Sequence, residues 1–184
     1  MPELLGEFEE AGGAIIEGLE LTFSPTSVPL KQRWRNNGLS ADFMADYVGT
    51  FLPRGDGDGR HDEVVGAIKY IANELLENGM KYNDDALGQP IRMKLVLADD
   101  HIVFSESNAV AASRAQEFRS FVTELVDGDP NELYVRQLER AAEGGGSGLG
   151  LLTMINDYGA RLGWKFEDLV NGGVCVTTQV RIDI

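Results

Sequence analysis

Between His61 and Tyr82 the apolar residues Val64, Ile68, Ile71, Ala72, Leu75 and Leu76 recur at steps of three and four. That period makes one long amphipathic helix with a single apolar side, and a helix of this kind has to be covered along its length. The next segment limits the cover. Ile91–Leu97 alternates as a strand, Asp99-Asp100 turns the chain, and His101–Ser107 returns as a hairpin partner. A one-sided helix leading into a two-stranded ribbon predicts a sheet with helices laid on one face.

The other segments fill in that plan. Residues 1–20, acidic and carrying Gly12-Gly13, read as a mobile leader or short helix, and Glu20–Ser24 as a strand punctuated by Pro25 and Pro29. Leu30–Asn37 and Ser40–Leu52 are expected as two helices, the second capped by Ser40. Ala115–Leu125 is expected to be helical, Asp129-Pro130-Asn131 opens another helix, and a third runs from Leu149 to about Tyr158. Arg161–Phe166 and Gly173–Ile184 read as two final strands. The expected class is an α/β (α+β) two-layer sandwich, a mixed β-sheet with helices on one face. Residues 1–60 are expected to form a strand-and-helix extension for docking or dimerisation, and residues 61–184 the main domain.

Charge narrows the function. The 184 residues carry a formal net charge of −14, which argues against a nucleic-acid backbone as partner. It leaves a phosphate ligand open, because Mg²⁺ and a few cations can screen such a site. The single cysteine, Cys175, lies in an apolar run and reads as an inert buried thiol, with no intramolecular disulfide to form. No apolar stretch reaches membrane-spanning length and no signal-peptide pattern opens the chain. A cytoplasmic protein, without membrane contact, is expected.

Two constellations carry chemistry. Glu74, Asn78 and Lys81 share one stripe of the long helix. An asparagine oxygen is a hard ligand suited to Mg²⁺, a glutamate one turn back can take a proton, and a lysine can meet a phosphate as a point charge. The second constellation is Gly144-Gly145-Gly146-Ser147-Gly148, running through Leu149 and Gly150 into an apolar helix. Its backbone N–H groups and the positive end of the helix suit phosphates. Alone, the stripe reads equally as a solvated helix face and the glycines as a linker; together they point to a nucleotide. The loop is neither a Walker loop nor a dinucleotide fingerprint. Arg136 and Arg140, just before it, are candidates for a γ-phosphate, and Thr177 and Thr178 for nucleotide contact. His61 and His101 lack metal-ligand spacing, and Trp34 and Trp164 read as packing.

In this order the motifs resemble those of the GHKL ATPase superfamily. Glu74-Leu75-Leu76-Glu77-Asn78 looks like its N-box, and Gly146-Ser147-Gly148-Leu149-Gly150-Leu151 like its glycine box. The chain is more similar still to SiaB-like proteins, their cyanobacterial relatives and anti-sigma-factor serine kinases. That likeness rests on Leu151-Leu152-Thr153, Asp157-Tyr158-Gly159 and the stretch from Trp34 to Asp42. The resemblance implies a Bergerat-type ATP-binding fold, with residues 61–184 as a histidine-kinase-like ATPase domain. It implies ATP and Mg²⁺ as cofactors, Asn78 as metal ligand, Glu74 as catalytic base, and Lys81 with residues 144–150 around the phosphates. The implied activity is a Ser/Thr protein kinase acting on a small STAS-like or anti-sigma-antagonist protein in a partner-switching pathway, with a homodimer open. The superfamily's Asp-x-Gly-x-Gly box is replaced here by Ser105-Glu106-Ser107-Asn108-Ala109-Val110. Asn108 is the first candidate to meet adenine N6 and Glu106 the second. This departure motivates an alternative, a non-catalytic module that binds nucleotide or a regulatory partner.

Overall fold

A computed structural model describes residues 1–9, 15–24, 34–53, 59–142 and 148–184. Its elements are β1 (Glu3–Gly6), β2 (Glu17–Phe23), α1 (Trp34–Gly49), α2 (Arg60–Tyr82), β3 (Ile91–Leu97), β4 (His101–Ala111), α3 (Ala112–Asp127), α4 (Pro130–Ala142), α5 (Leu149–Tyr158), β5 (Arg161–Asp168) and β6 (Gly173–Asp183). A 3₁₀ turn, Asp85–Leu87, joins α2 to β3.

The strands form one sheet in the order β1-β5-β6-β4-β3-β2. Alternation assigns its faces. On β3, Ile91, Met93, Leu95 and Leu97 are buried while Arg92 and Lys94 are exposed. Register carries that buried side across the sheet to Phe104 and Ile102 on β4, Val176 and Val180 on β6, and Leu162, Trp164 and Phe166 on β5. Onto it pack the apolar sides of the helices, with Met44 and Val48 from α1, Ile68, Ile71, Leu75 and Leu76 from α2, Val122 from α3, and Leu152 and Met154 from α5. This is the two-layer sandwich that the helix-then-hairpin order predicts. The sheet is not mixed, however: every pairing among the described residues is antiparallel. Strands β3–β4 and β5–β6 are hairpins, and neither β1 nor β2 enters beside its neighbour through a βαβ crossover.

Three local expectations are corrected. The leader contains an edge strand, β1, whose Glu3–Gly6 pairs with Gly163–Phe166 of β5. Helix α1 runs unbroken through Gly38. A helical glycine costs about 1 kcal/mol against alanine, and burial of Ala41, Met44, Ala45 and Val48 offsets it. Strand β4 continues four residues past Ser107 to Ala111, held on β6 by the Asn108↔Val176 and Ala111↔Gly173 registers. The described parts of residues 1–60 supply both edge strands and α1, so they share the sheet and core of the rest.

After β1 the chain crosses the open face of the sheet. Glu9 exchanges two bonds with the Gln179 amide, at 2.9 and 3.0 Å, and its carboxylate meets Arg181 at 2.9 Å. Gly163 lets it pass, since a β-carbon there would strike the backbone of Glu7 and Phe8.

Candidate active site

In the middle of the sheet the apolar face carries polar side chains. Glu106 and Asn108 of β4 point the same way as Phe104 and Val110, and Thr178 of β6 stands opposite Glu106 in the register. All three are more than nine-tenths buried. They floor a cavity of about 570 Å³, within the range of roughly 300–1,000 Å³ usual for small-molecule sites. Leu75, Asn78 and Tyr82 enter it from α2, Arg114, Glu117, Phe118 and Phe121 from α3, and Gln137 and Arg140 from α4. Gly148 and Leu151 enter at the start of α5.

Four buried polar residues of the lining make no side-chain hydrogen bond among the described residues. Glu106 is 2% exposed and its Oε1 has no hydrogen-bond partner among the described residues. Asn108, Gln137 and Thr178, at 6%, 5% and 7% exposure, likewise make no side-chain hydrogen bond among them. A buried polar atom without a partner costs about 1–3 kcal/mol, and Glu106 Oε1 is such an atom at this cavity.

Burial pushes the Glu106 carboxyl well above the usual glutamate value of 4.5, so folding favours its neutral, protonated form. The unfolded chain releases that proton at the ordinary value and the native protein keeps it to higher pH. The native state therefore binds more protons in that window, and its stability falls as pH rises, by up to about 1.4 kcal/mol per pH unit. Glu106→Gln keeps a neutral group of the same shape and removes the titration. In urea unfolding as pH rises above the ordinary glutamate value of 4.5, wild type is expected to lose stability relative to this variant. Parallel profiles would mean that Glu106 is not a buried acid.

The helix stripe divides on folding. Asn78 lines the cavity. Glu74 lies beside it rather than in its lining: its carboxyl presses on Gly150, where a β-carbon would lie 2.9 Å from Glu74 Cδ and closer to Oε2. Desolvation, then the neighbouring Glu77, raises the Glu74 carboxyl above its ordinary range. Lys81 is exposed, its Nζ 5.0 Å from the centre of the Tyr82 ring, and it is not part of the lining.

Gly144, Gly145, Gly146 and Ser147 lie outside the described residues. Gly148 caps α5 in the left-handed region, with φ 105°, and a side chain there would also meet the Phe121 ring. No side chain caps the N-terminus of α5, which leaves N–H groups of its first turn open to an anion. Leu149 opens that turn. Gly150 is in it too, and its bare Cα accommodates Glu74.

Of the remaining candidates, Arg140 and Thr178 line the cavity, whereas Arg136 pairs with Glu124 and Thr177 bonds Ser107 at 2.9 Å on the open face. Trp164 is core and fully buried. Arg114, Phe118, Phe121 and Gln137 are not singled out by sequence. No local motif announces them, because only the packing of α3 over β4 and β6, and of α4 against α5, brings them together. Among the described residues no cluster of three or more His, Cys, Asp or Glu is placed to hold a metal ion.

No protein-family model matches the chain, and no curated protein matches it. The fold has a solved counterpart. A chain of the crystal structure of the SiaB–SiaC complex from Pseudomonas aeruginosa matches with a TM-score of 0.60 and 16% sequence identity, over 92% of this chain and 91% of that one. The likeness is therefore one of fold across nearly the whole length of both. No helix among the described residues is long and apolar enough to cross a membrane.

Proposed function

We propose that the chain binds ATP with Mg²⁺ in this cavity and transfers a phosphoryl group to a serine or threonine of a small STAS-like or anti-sigma-antagonist partner. The observation that carries the reading is one cavity lined by Glu106, Asn108, Gln137 and Thr178, four buried residues whose side chains make no hydrogen bond among the described residues, together with cations and a helix N-terminus. A neutral carboxyl presents a C=O and an O–H side by side. With Oε1 turned onto α2, the other oxygen of Glu106 can accept from adenine N6 or, protonated, donate to N1, and Asn108 stands next along the same strand face. Phe118 and Phe121 offer an apolar wall to the base. Gly148 and the open end of α5 suit phosphates, and Arg114 and Arg140 supply charge-assisted bonds to them.

Bound Mg²⁺ would shield the charge of the triphosphate, and Asn78, in the cavity lining, would supply an oxygen to it. Glu74, on the same face of α2 one turn away, would take the proton of an incoming hydroxyl. Its half-buried carboxyl, raised by burial, is a stronger base than an exposed one. Most of the remaining catalysis is positioning and electrostatics. The partner-switching context is supported by the fold shared with a chain of the SiaB–SiaC complex and by the motif resemblance. We read SiaC's presence there as a model for a protein acceptor in trans.

The test is a calorimetric titration with Mg-ATP, then label transfer from γ-labelled ATP to a STAS-like protein. Saturable binding and label on a serine or threonine of the partner are expected. Absence of binding to wild type at millimolar ATP would overturn the nucleotide reading, and binding without label on any such partner would leave a regulatory nucleotide module.

A further inference from the structure

Gly79 sits inside α2, where glycine is the poorest residue after proline, and its backbone does not ask for one, since its φ is not positive. Its surroundings do. A β-carbon on Gly79 would collide with Glu106 Oε1 and lie 2.9 Å from its Cδ; the next neighbour, Ile91 Cγ2 at 3.3 Å, is a methyl that can yield. Glu106 is thus packed directly against the bare backbone of α2, on the turn that also brings Asn78 to the cavity.

We propose that Gly79 is the positioning residue for Glu106: its missing side chain leaves a notch in α2 that seats the carboxyl at the cavity floor and so sets the depth at which a ligand's polar edge is read. The notch matches the length of a glutamate. An aspartate falls short of it by one methylene, and any side chain at position 79 drives the Glu106 carboxyl into the space of the ligand. The ligand-binding arm of the test rests on the nucleotide reading; the steric arm does not.

The steric arm is a thermal-unfolding cycle without ligand. Gly79→Ala is expected to lower the unfolding midpoint when Glu106 is present. In a Glu106→Ala background it should raise it, because only the gain in helix propensity is left. The ligand arm is titration with Mg-ATP. Gly79→Ala should weaken binding by about tenfold or more, whereas Gly79→Ala added to Glu106→Asp should cost less than about threefold, since the shorter acid has already left the notch. A midpoint raised by Gly79→Ala in both backgrounds overturns the proposal, as does wild-type affinity in the single variant. If wild type takes up no Mg-ATP, the nucleotide reading fails, and the sign of the thermal cycle still decides whether the notch holds Glu106.

Discussion

Asn78→Ala is expected to weaken Mg-ATP binding by at least about tenfold, with little change in the unfolding midpoint. Asn78 is half-buried at the cavity wall and makes no side-chain hydrogen bond among the described residues. The native protein alone therefore loses no internal bond when its amide is removed. What is lost is a contact to a charged ligand, and bonds to charged groups contribute about 1.5–3 kcal/mol, which corresponds to roughly 10- to 150-fold in affinity. The control lies one turn and a residue earlier. Asn73 donates to Glu77 at 2.9 Å and is not in the lining, so Asn73→Ala should leave affinity within about twofold. Isothermal titration of both variants checks this, and an Asn78→Ala protein that binds as wild type would remove Asn78 from the site.

The second large effect is expected at Glu74. Glu74→Ala should lower phosphoryl transfer by about 10²- to 10⁴-fold, the usual contribution of a general base, while Mg-ATP affinity stays level or rises because a carboxylate beside the phosphates is gone. A base works ionised, so wild-type transfer should rise with pH as Glu74 loses its proton. Burial and Glu77 place that rise above the ordinary glutamate range. Glu77→Gln removes the smaller cause and should move the rise modestly toward lower pH. Single-turnover transfer across pH, alongside equilibrium binding, separates the outcomes. Equal transfer in Glu74→Ala would show that the chain does not use this base. Loss of binding in parallel with loss of transfer would make Glu74 part of the ligand's seat instead.

Much of this site is legible in the chain before folding, and what is hidden has physical causes. Asn78 and the start of α5 can be named because helical spacing and a glycine cluster are local properties, and Glu106 and Asn108 because they fall where the superfamily that the motifs resemble carries its Asp-x-Gly-x-Gly box. Strand β4 reads only as far as Ser107 because Asn108 and the small Ala109 and Ala111 have little strand propensity. Carried to Ala111, its inward row is Ile102, Phe104, Glu106, Asn108, Val110. Two polar residues in an otherwise apolar row are the signal that ranks Glu106 with Asn108. Edge strand β1 escapes a sequence reading because a four-residue edge is held by its neighbour's backbone rather than by its own pattern. Helical spacing groups Lys81 with Asn78, but three residues along α2 is far enough around the helix to reach solvent and the Tyr82 ring. Gln137 and Arg114 depend on which way α4 and α3 turn over the sheet, which no window of sequence contains.

Strand β6 is the last of the six to leave the ribosome, yet it lies between β5 and β4. Until it is synthesised, the growing chain can assemble only two separate pieces of sheet, β1 with β5 and β2 with β3 and β4. Strand β4 then carries Glu106 on an unpaired edge, and the floor of the cavity lacks Thr178. Long-range closure of this kind is slow and exposes strand edges while it waits. Ligand competence should accordingly arrive in one step once β6 has been added, and a chain stopped after β5 lacks the strand that completes the cavity floor.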